Sequence, residues 1–154
     1  METEMRRSDR MLGEAETREL LQNGEYGILS TASRAGQPYG IPLNYTYRGN
    51  ALYFHCAQDG RKIQNLNENN RVSFCVVGQT ELLPDKFSTK YESVIVSGQI
   101  EEVSGEEKNR ALLELLQKYS AGFVEKGMHY IEKAGTKTKV YKLTIDSVTG
   151  KSRK

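Results

Sequence analysis

Arg61 and Lys62 are adjacent cations placed where a strand stops at a short polar turn and a helix begins. Upstream, Leu52, Phe54 and Cys56 alternate with Tyr53, His55 and Ala57, the two-residue period of a half-buried strand. Asp59-Gly60 is turn chemistry, with Asp59 the candidate N-cap. Ile63 and Leu66, three apart, then share one face of a short helix that ends in the polar run Asn67 to Asn70. A helix start carries unpaired N–H groups and partial positive charge, so it favours acids over cations. A bound phosphate reverses that preference, because N–H groups and cations then converge on one dianion. The local sequence leaves an alternative open, in which both side chains extend into water at a cost of about a few tenths of a kcal/mol.

Other chemistries lack their residues. His55 and His129 are the only histidines and Cys56 and Cys75 the only cysteines, with no C-x-x-C spacing, so no metal, redox-pair or haem-attachment signature is present. No G-x-G-x-x-G, phosphate-binding P-loop or G-x-S-x-G elbow occurs. The 22 basic and 20 acidic residues leave a net charge of +2, too balanced for nucleic acid to be the expected partner. No apolar run approaches the ~20 residues of a membrane span and the charged start resembles no signal peptide, so a cytoplasmic protein is expected. Hydrophobic content of 37% and a mean hydropathy of −0.64 are polar for a globular chain, and an oligomeric second core would help it.

The elements that must position these residues follow from periodicity and turn chemistry. Length predicts one domain over 1–154, with an irregular lead-in over 1–12 and a basic, solvated tail over 147–154. A helix is predicted over Glu14–Asn23, stopped by Gly24, and a strand over Tyr26–Ser33 with Arg34-Ala35-Gly36 as its hairpin connection. Gln37–Tyr47 reads as one strand that Pro38 and Pro42 make bulged or peripheral, and Ala51–Ala57 completes a meander. Arg71–Val77 reads as a central strand, Gly78–Tyr91 as a long loop, and Glu92–Val103 as a long strand bulged at Gly98. Ser104 and Glu107 form a capping-box pattern before a helix whose stripe of Leu112, Leu115, Leu116 and Tyr119 reads as core packing. A further helix over about 123–133 and a closing strand over Lys139–Asp146 complete the chain. The sum is mainly β (α+β): a six-stranded antiparallel β-barrel with peripheral helices.

This order of parts resembles the FMN-binding split barrel of pyridoxamine 5′-phosphate oxidase-like proteins, and within it the 5-nitroimidazole resistance and reductase-like branch. The residues that carry the resemblance are Met5–Arg10, Gly40–Tyr45, Tyr53–Ala57 with Gly60–Ile63, Val72–Val77, Tyr91–Gly98 and Thr149–Lys151. The resemblance implies a homodimer with FMN at the subunit interface. It implies that Arg61 and Lys62 hold the phosphate, that Leu43, Asn44 and Tyr45 lie along the flavin, and that His55 sits where its strand meets the cofactor. Ser93 would approach the flavin from the partner subunit. The implied activity is flavin-dependent reduction of a small planar electron acceptor such as a nitroimidazole, with NAD(P)H as donor; the alternative is a non-catalytic flavin- or haem-binding or sensing module. The C-terminal basic set expected for pyridoxal phosphate is not recognisable in 147–154.

Overall fold

The computed structural model describes residues 4–57 and 60–154. Helix α1 (Glu14–Asn23) leads into β1 (Gly27–Ala32), β2 (Pro38–Leu43), β3 (Thr46–Arg48) and β4 (Ala51–Ala57). Then come α2 (Arg61–Glu68), β5 (Arg71–Leu83), β6 (Ser88–Val103), α3 (Gly105–Tyr119), α4 (Val124–Ala134) and β7 (Thr138–Arg153). The described strands form one antiparallel sheet in the order β2-β1-β5-β6-β7-β4-β3. Its two outermost strands, β2 and β3, are consecutive in the chain and separated only by Asn44 and Tyr45. The sheet therefore curls until its ends lie side by side, which is a split barrel.

Seven strands replace the six expected, and the difference lies at Asn44-Tyr45. The stretch 37–47 read as one strand is cut at Asn44-Tyr45, so that its first half pairs with β1 and its second with β4. Three further expectations are corrected. Gly78–Tyr91 is not a loop: β5 and β6 continue as a hairpin past a register shift between Val77 and Thr80, with Phe87 at its tip in a left-handed conformation. Its residues are exposed or half-buried on both faces, Leu82 and Phe87 included, so no alternation marked them as strand. The tail is not solvated, because β7 runs to Arg153 and pairs with β6 as far as Tyr91. Ser104 does occupy the N-cap of α3, yet its hydroxyl makes no capping bond; Glu107 instead accepts from the Tyr53 hydroxyl at 2.7 Å and pairs with Lys142 at 3.2 Å.

The inward rows of the strands fill the barrel: Leu29, Leu52, Phe54, Phe74, Val76, Val94, Val96 and Leu143 are all without solvent contact. Ile63 and Leu66 of α2 join that core from one end, as their spacing predicted. A smaller cluster lies outside the barrel wall, where Ala111 and Leu112 of α3 cover Ala51, Tyr53 and Val140. Strand β4 is thus covered on both faces for most of its length. Its outward row emerges from beneath α3 at His55, which is exposed.

Candidate functional site

Helix α2 starts as the sequence suggests, with Arg61 and Lys62 in a first turn that contains no acid. Its N-cap among the described residues is Gly60, with no side-chain cap; Asp59, the expected cap, lies outside the described residues. Gly60 has φ of 132° and ψ of 170°, a conformation open to glycine alone, while a Cβ there would meet nothing within 4 Å. Backbone shape, not space, requires this glycine. Among the described residues the first amides of α2 have no helical acceptor and no side-chain cap, the arrangement that suits an anion.

Two further contacts fix where the helix points. Buried Asn65 donates to the Thr31 hydroxyl at 3.1 Å, and that hydroxyl donates to the Tyr39 carbonyl at 3.2 Å, tying α2 to the β1–β2 hairpin. The Arg61 guanidinium then lies 5.4 Å from the centre of the Tyr39 ring, a cation–π contact that holds it beside β2. Lys62 faces β4. Partial desolvation by the surrounding protein, and then repulsion from Lys62, push the His55 imidazole below its ordinary value.

His55 also opens onto a cleft of ≈ 540 Å³ between α3, α4 and the end of β4. Asn44 and His55 stand at one side of it; Leu112, Leu115, Leu116 and Ile131 form apolar walls, and Lys126 brings a cation. Helix α4 roofs the cleft without burying any of its own residues, and Phe123 and Tyr130 at the rim are exposed. The leucine stripe of α3, expected to be core, divides: Leu112 and Leu115 pack on the barrel and Leu116 and Tyr119 are half-buried, while all four also line the cleft.

The seven residues expected at the site therefore fall into three groups. Asn44 and His55 line the cleft together, Lys62 acts on His55 through its charge, and Arg61 lies beside Tyr39 of β2. Leu43 packs half-buried against the barrel core at the end of β2, while Tyr45 is wholly buried. The Tyr45 hydroxyl donates to the Leu21 carbonyl, its amide donates to the Tyr119 hydroxyl at 3.1 Å, and its carbonyl accepts from Lys118 at 3.0 Å. Tyr45 thus anchors the strand break and presents Asn44. Ser93 lies apart from this group within one chain, on the outer face of β6 between Val77 and Lys151. Sequence reasoning missed Tyr39, Lys118 and Tyr119. The hairpin register could have placed Tyr39 opposite Thr31, but nothing local signals that the end of α3 returns to Tyr45, 74 residues away.

Among the described residues no group of three His, Cys, Asp or Glu side chains could hold a metal ion, and no helix is long and apolar enough to cross a membrane. Cys56 is buried and Cys75 half-buried, and both are free.

The sequence model of the family described as pyridoxamine 5′-phosphate oxidase matches residues 13–152. No curated protein matches the chain in sequence. Solved structures do. A candidate 5-nitroimidazole antibiotic resistance protein of Bacteroides thetaiotaomicron has a TM-score of 0.72 at 24% identity, over 92% of this chain and 86% of that one. An FAD-binding protein of Mesorhizobium loti has a TM-score of 0.68 at 25% identity, over 93% and 95%. An FAD- and haem-binding protein of Mycobacterium smegmatis has a TM-score of 0.77 at 18% identity, over 92% and 72%. With seven antiparallel strands curled on themselves and the family's sequence pattern over residues 13–152, the chain belongs to the pyridoxamine 5′-phosphate oxidase family of split barrels.

Proposed function

We propose that this chain binds FMN between two copies of itself and works as a flavin-dependent reductase of small planar acceptors such as nitroimidazoles. The observation that carries the reading is the first turn of α2, with Arg61 and Lys62 on it and His55 beside it. Among the described residues that turn fits a phosphate: its first amides have no side-chain cap and it carries two cations. Arg61 and Lys62 would hold the phosphate, and Asn44 and His55 would face the rest of the cofactor. FMN, when bound, supplies the redox chemistry that links a nicotinamide donor to an acceptor.

The protein's own groups do the positioning. The apolar cleft beside His55 excludes water and accepts a flat, weakly polar ring, with Lys126 available to an electron-rich nitro or quinone oxygen. A pure storage protein needs no such second pocket. His55 is exposed and can accept or donate one hydrogen bond at the junction of the two sites.

The outer sheet face supports pairing of two copies. Ser30, Ser73, Ser97 and Ser147 lie in one row across four strands, and Ile28, Cys75, Ile95 and Thr149 in the next. Val77 and Ser93 continue this surface up to Lys151 at its border, and Ile28, Val77 and Ile95 are exposed on it. Uncharged, partly apolar sheet faces of this kind are the usual cores of interfaces. Ser93 would then approach the flavin from the other copy.

A second reading rests on His55 itself. An exposed imidazole at the mouth of an apolar cleft is also what haem ligation needs, and the mycobacterial relative binds FAD and haem. The test is titration with FMN and with haem, on the parent and on Arg61→Ala and Lys62→Ala. Each substitution is expected to weaken FMN binding by ~1.5–3 kcal/mol, the range for hydrogen bonds to a charged group. Unchanged FMN affinity in both variants rejects the phosphate site, and tight haem binding lost in His55→Ala favours the second reading.

A further inference from the structure

We infer that the cleft between the N-terminal lead-in, the β5–β6 hairpin and the end of β7 is a second anion site, one that takes the phosphate of a nucleotide. Three segments distant in sequence build it: Asp9 to Leu12, Leu83 with Lys86 and Lys90, and Ser152 to Lys154, around a volume of ≈ 510 Å³. It lies on different strands and loops from α2 and its two cations.

Gly150 makes the convergence possible. A Cβ there would fall 2.3 Å from the Thr17 hydroxyl and 3.1 Å from the Leu12 Cβ, so only glycine lets the lead-in lie on β7. The Leu12 amide donates to the Gly150 carbonyl at 2.9 Å, and Met11 bridges to Lys151. Arg10 is thereby fixed beside the strand end. The hairpin then carries Lys86 and Lys90 to the same place.

The charge balance is one-sided. Five cations line the cleft (Arg10, Lys86, Lys90, Arg153 and Lys154) against Asp9 and Glu16. Both acids are engaged: Arg7 donates two hydrogen bonds to Asp9, at 2.9 and 2.8 Å, and Lys154 lies 3.8 Å from Glu16. Lys90 lies 3.8 Å from Glu81. Among the described residues, Arg10, Lys86 and Arg153 have no carboxylate partner. Burial raises the nearby Tyr91 phenol, but hydrogen bonds from Arg10 and Lys151 more than reverse this and leave it below the ordinary phenol value, as expected in a positive field.

Cations alone would take any anion. Here Met11, Leu12 and Leu83 add an apolar floor, with Met11 exposed. A cationic rim over an apolar floor matches a nucleotide, whose base needs apolar cover and whose phosphate needs forked donors. The adenosine-phosphate end of a nicotinamide donor has this chemistry, and so does a free adenine nucleotide.

The test is calorimetric titration of the full chain, at low ionic strength, with adenosine 2′,5′-bisphosphate, AMP and inorganic pyrophosphate. Saturable binding of one nucleotide per chain is expected, weakened at least tenfold in the exposed-cation double variant Lys86→Gln/Arg153→Gln. Lys133→Gln, on α4, is expected to stay within twofold of the parent. Tighter binding of the bisphosphate than of AMP assigns the site to a phosphorylated donor, and equal binding assigns it to a free nucleotide. Absence of saturable binding, or equal affinity in the double variant, overturns the inference. So does loss of binding in Lys62→Ala alone, which moves the nucleotide to α2, and pyrophosphate binding as tightly as the nucleotides, which removes the role of the apolar floor.

Discussion

Replacing Tyr119 by phenylalanine tests whether the end of α3 holds the strand break that presents Asn44. The Tyr119 hydroxyl accepts the Tyr45 amide at 3.1 Å and donates to the Glu25 carbonyl at 2.6 Å. Tyr45 is 0% exposed, so its amide would be orphaned inside the protein, whereas the Glu25 carbonyl lies in an exposed bond and would rehydrate. An orphaned buried donor costs about 1–3 kcal/mol. Tyr119 is itself half-buried, so water has a route to the vacated position and the lower half of that range applies, about 1–2 kcal/mol. For a chain of this size the corresponding fall in melting temperature is about 2–8 °C. The Lys118 ammonium, 3.9 Å from the Tyr45 ring centre and bonded to its carbonyl, would keep β3 attached, so local loosening and not unfolding is expected. Thermal denaturation gives the first readout, and amide hydrogen exchange at Asn44 to Thr46 the second. Tyr130→Phe, at an exposed rim position, serves as control and is expected to leave both unchanged. An unchanged melting temperature with undiminished protection at Tyr45 would refute the reasoning.

Three further outcomes are expected. Gly150→Ala puts a methyl group against Thr17 and Leu12 and is expected to cost about 1–3 kcal/mol, measured by denaturant unfolding; an unchanged midpoint would mean that the lead-in moves aside freely. His55 is expected to titrate, by NMR, below the ordinary imidazole value, and to move upward when a phosphate neutralises Lys62. Because its folded value is the lower one, its contribution to stability is present above the unfolded value near ~6.5 and is lost as pH falls through the window below it. Ser120→Trp places a ring in the apolar cleft and is expected to leave FMN affinity within twofold while cutting acceptor turnover at least tenfold; equal turnover would remove the cleft from the reaction.

Much of this was legible because local rules governed it. Helix α1 falls on Glu14–Asn23 and β4 on Ala51–Ala57, as periodicity and turn residues indicated. The start of α2 at Arg61 was legible because turn residues and the Ile63/Leu66 spacing set it locally, and its two cations stand out because they break the preference of a helix N-terminus. The hairpin from Gly78 to Tyr91 was not legible, since strands exposed on both faces have no alternation to read. The place of 37–47 was half visible: the prolines indicated a bulged or edge strand, and β2 is an edge of the sheet, but nothing indicated that the stretch would divide and its two halves join opposite ends. The cleft was hidden for a different reason. Its walls come from α3 and α4, and a leucine stripe reads the same whether it faces a core or a cavity.

The central claim is a flavin held at the start of α2, and absorbance tests it most directly. Purified protein is mixed with excess FMN, desalted and scanned. Bands near ~370 and ~450 nm, retained at one flavin per chain and lost in Lys62→Ala, are the expected result. A colourless protein after reconstitution, or flavin retained equally by Lys62→Ala and Arg61→Ala, would contradict it.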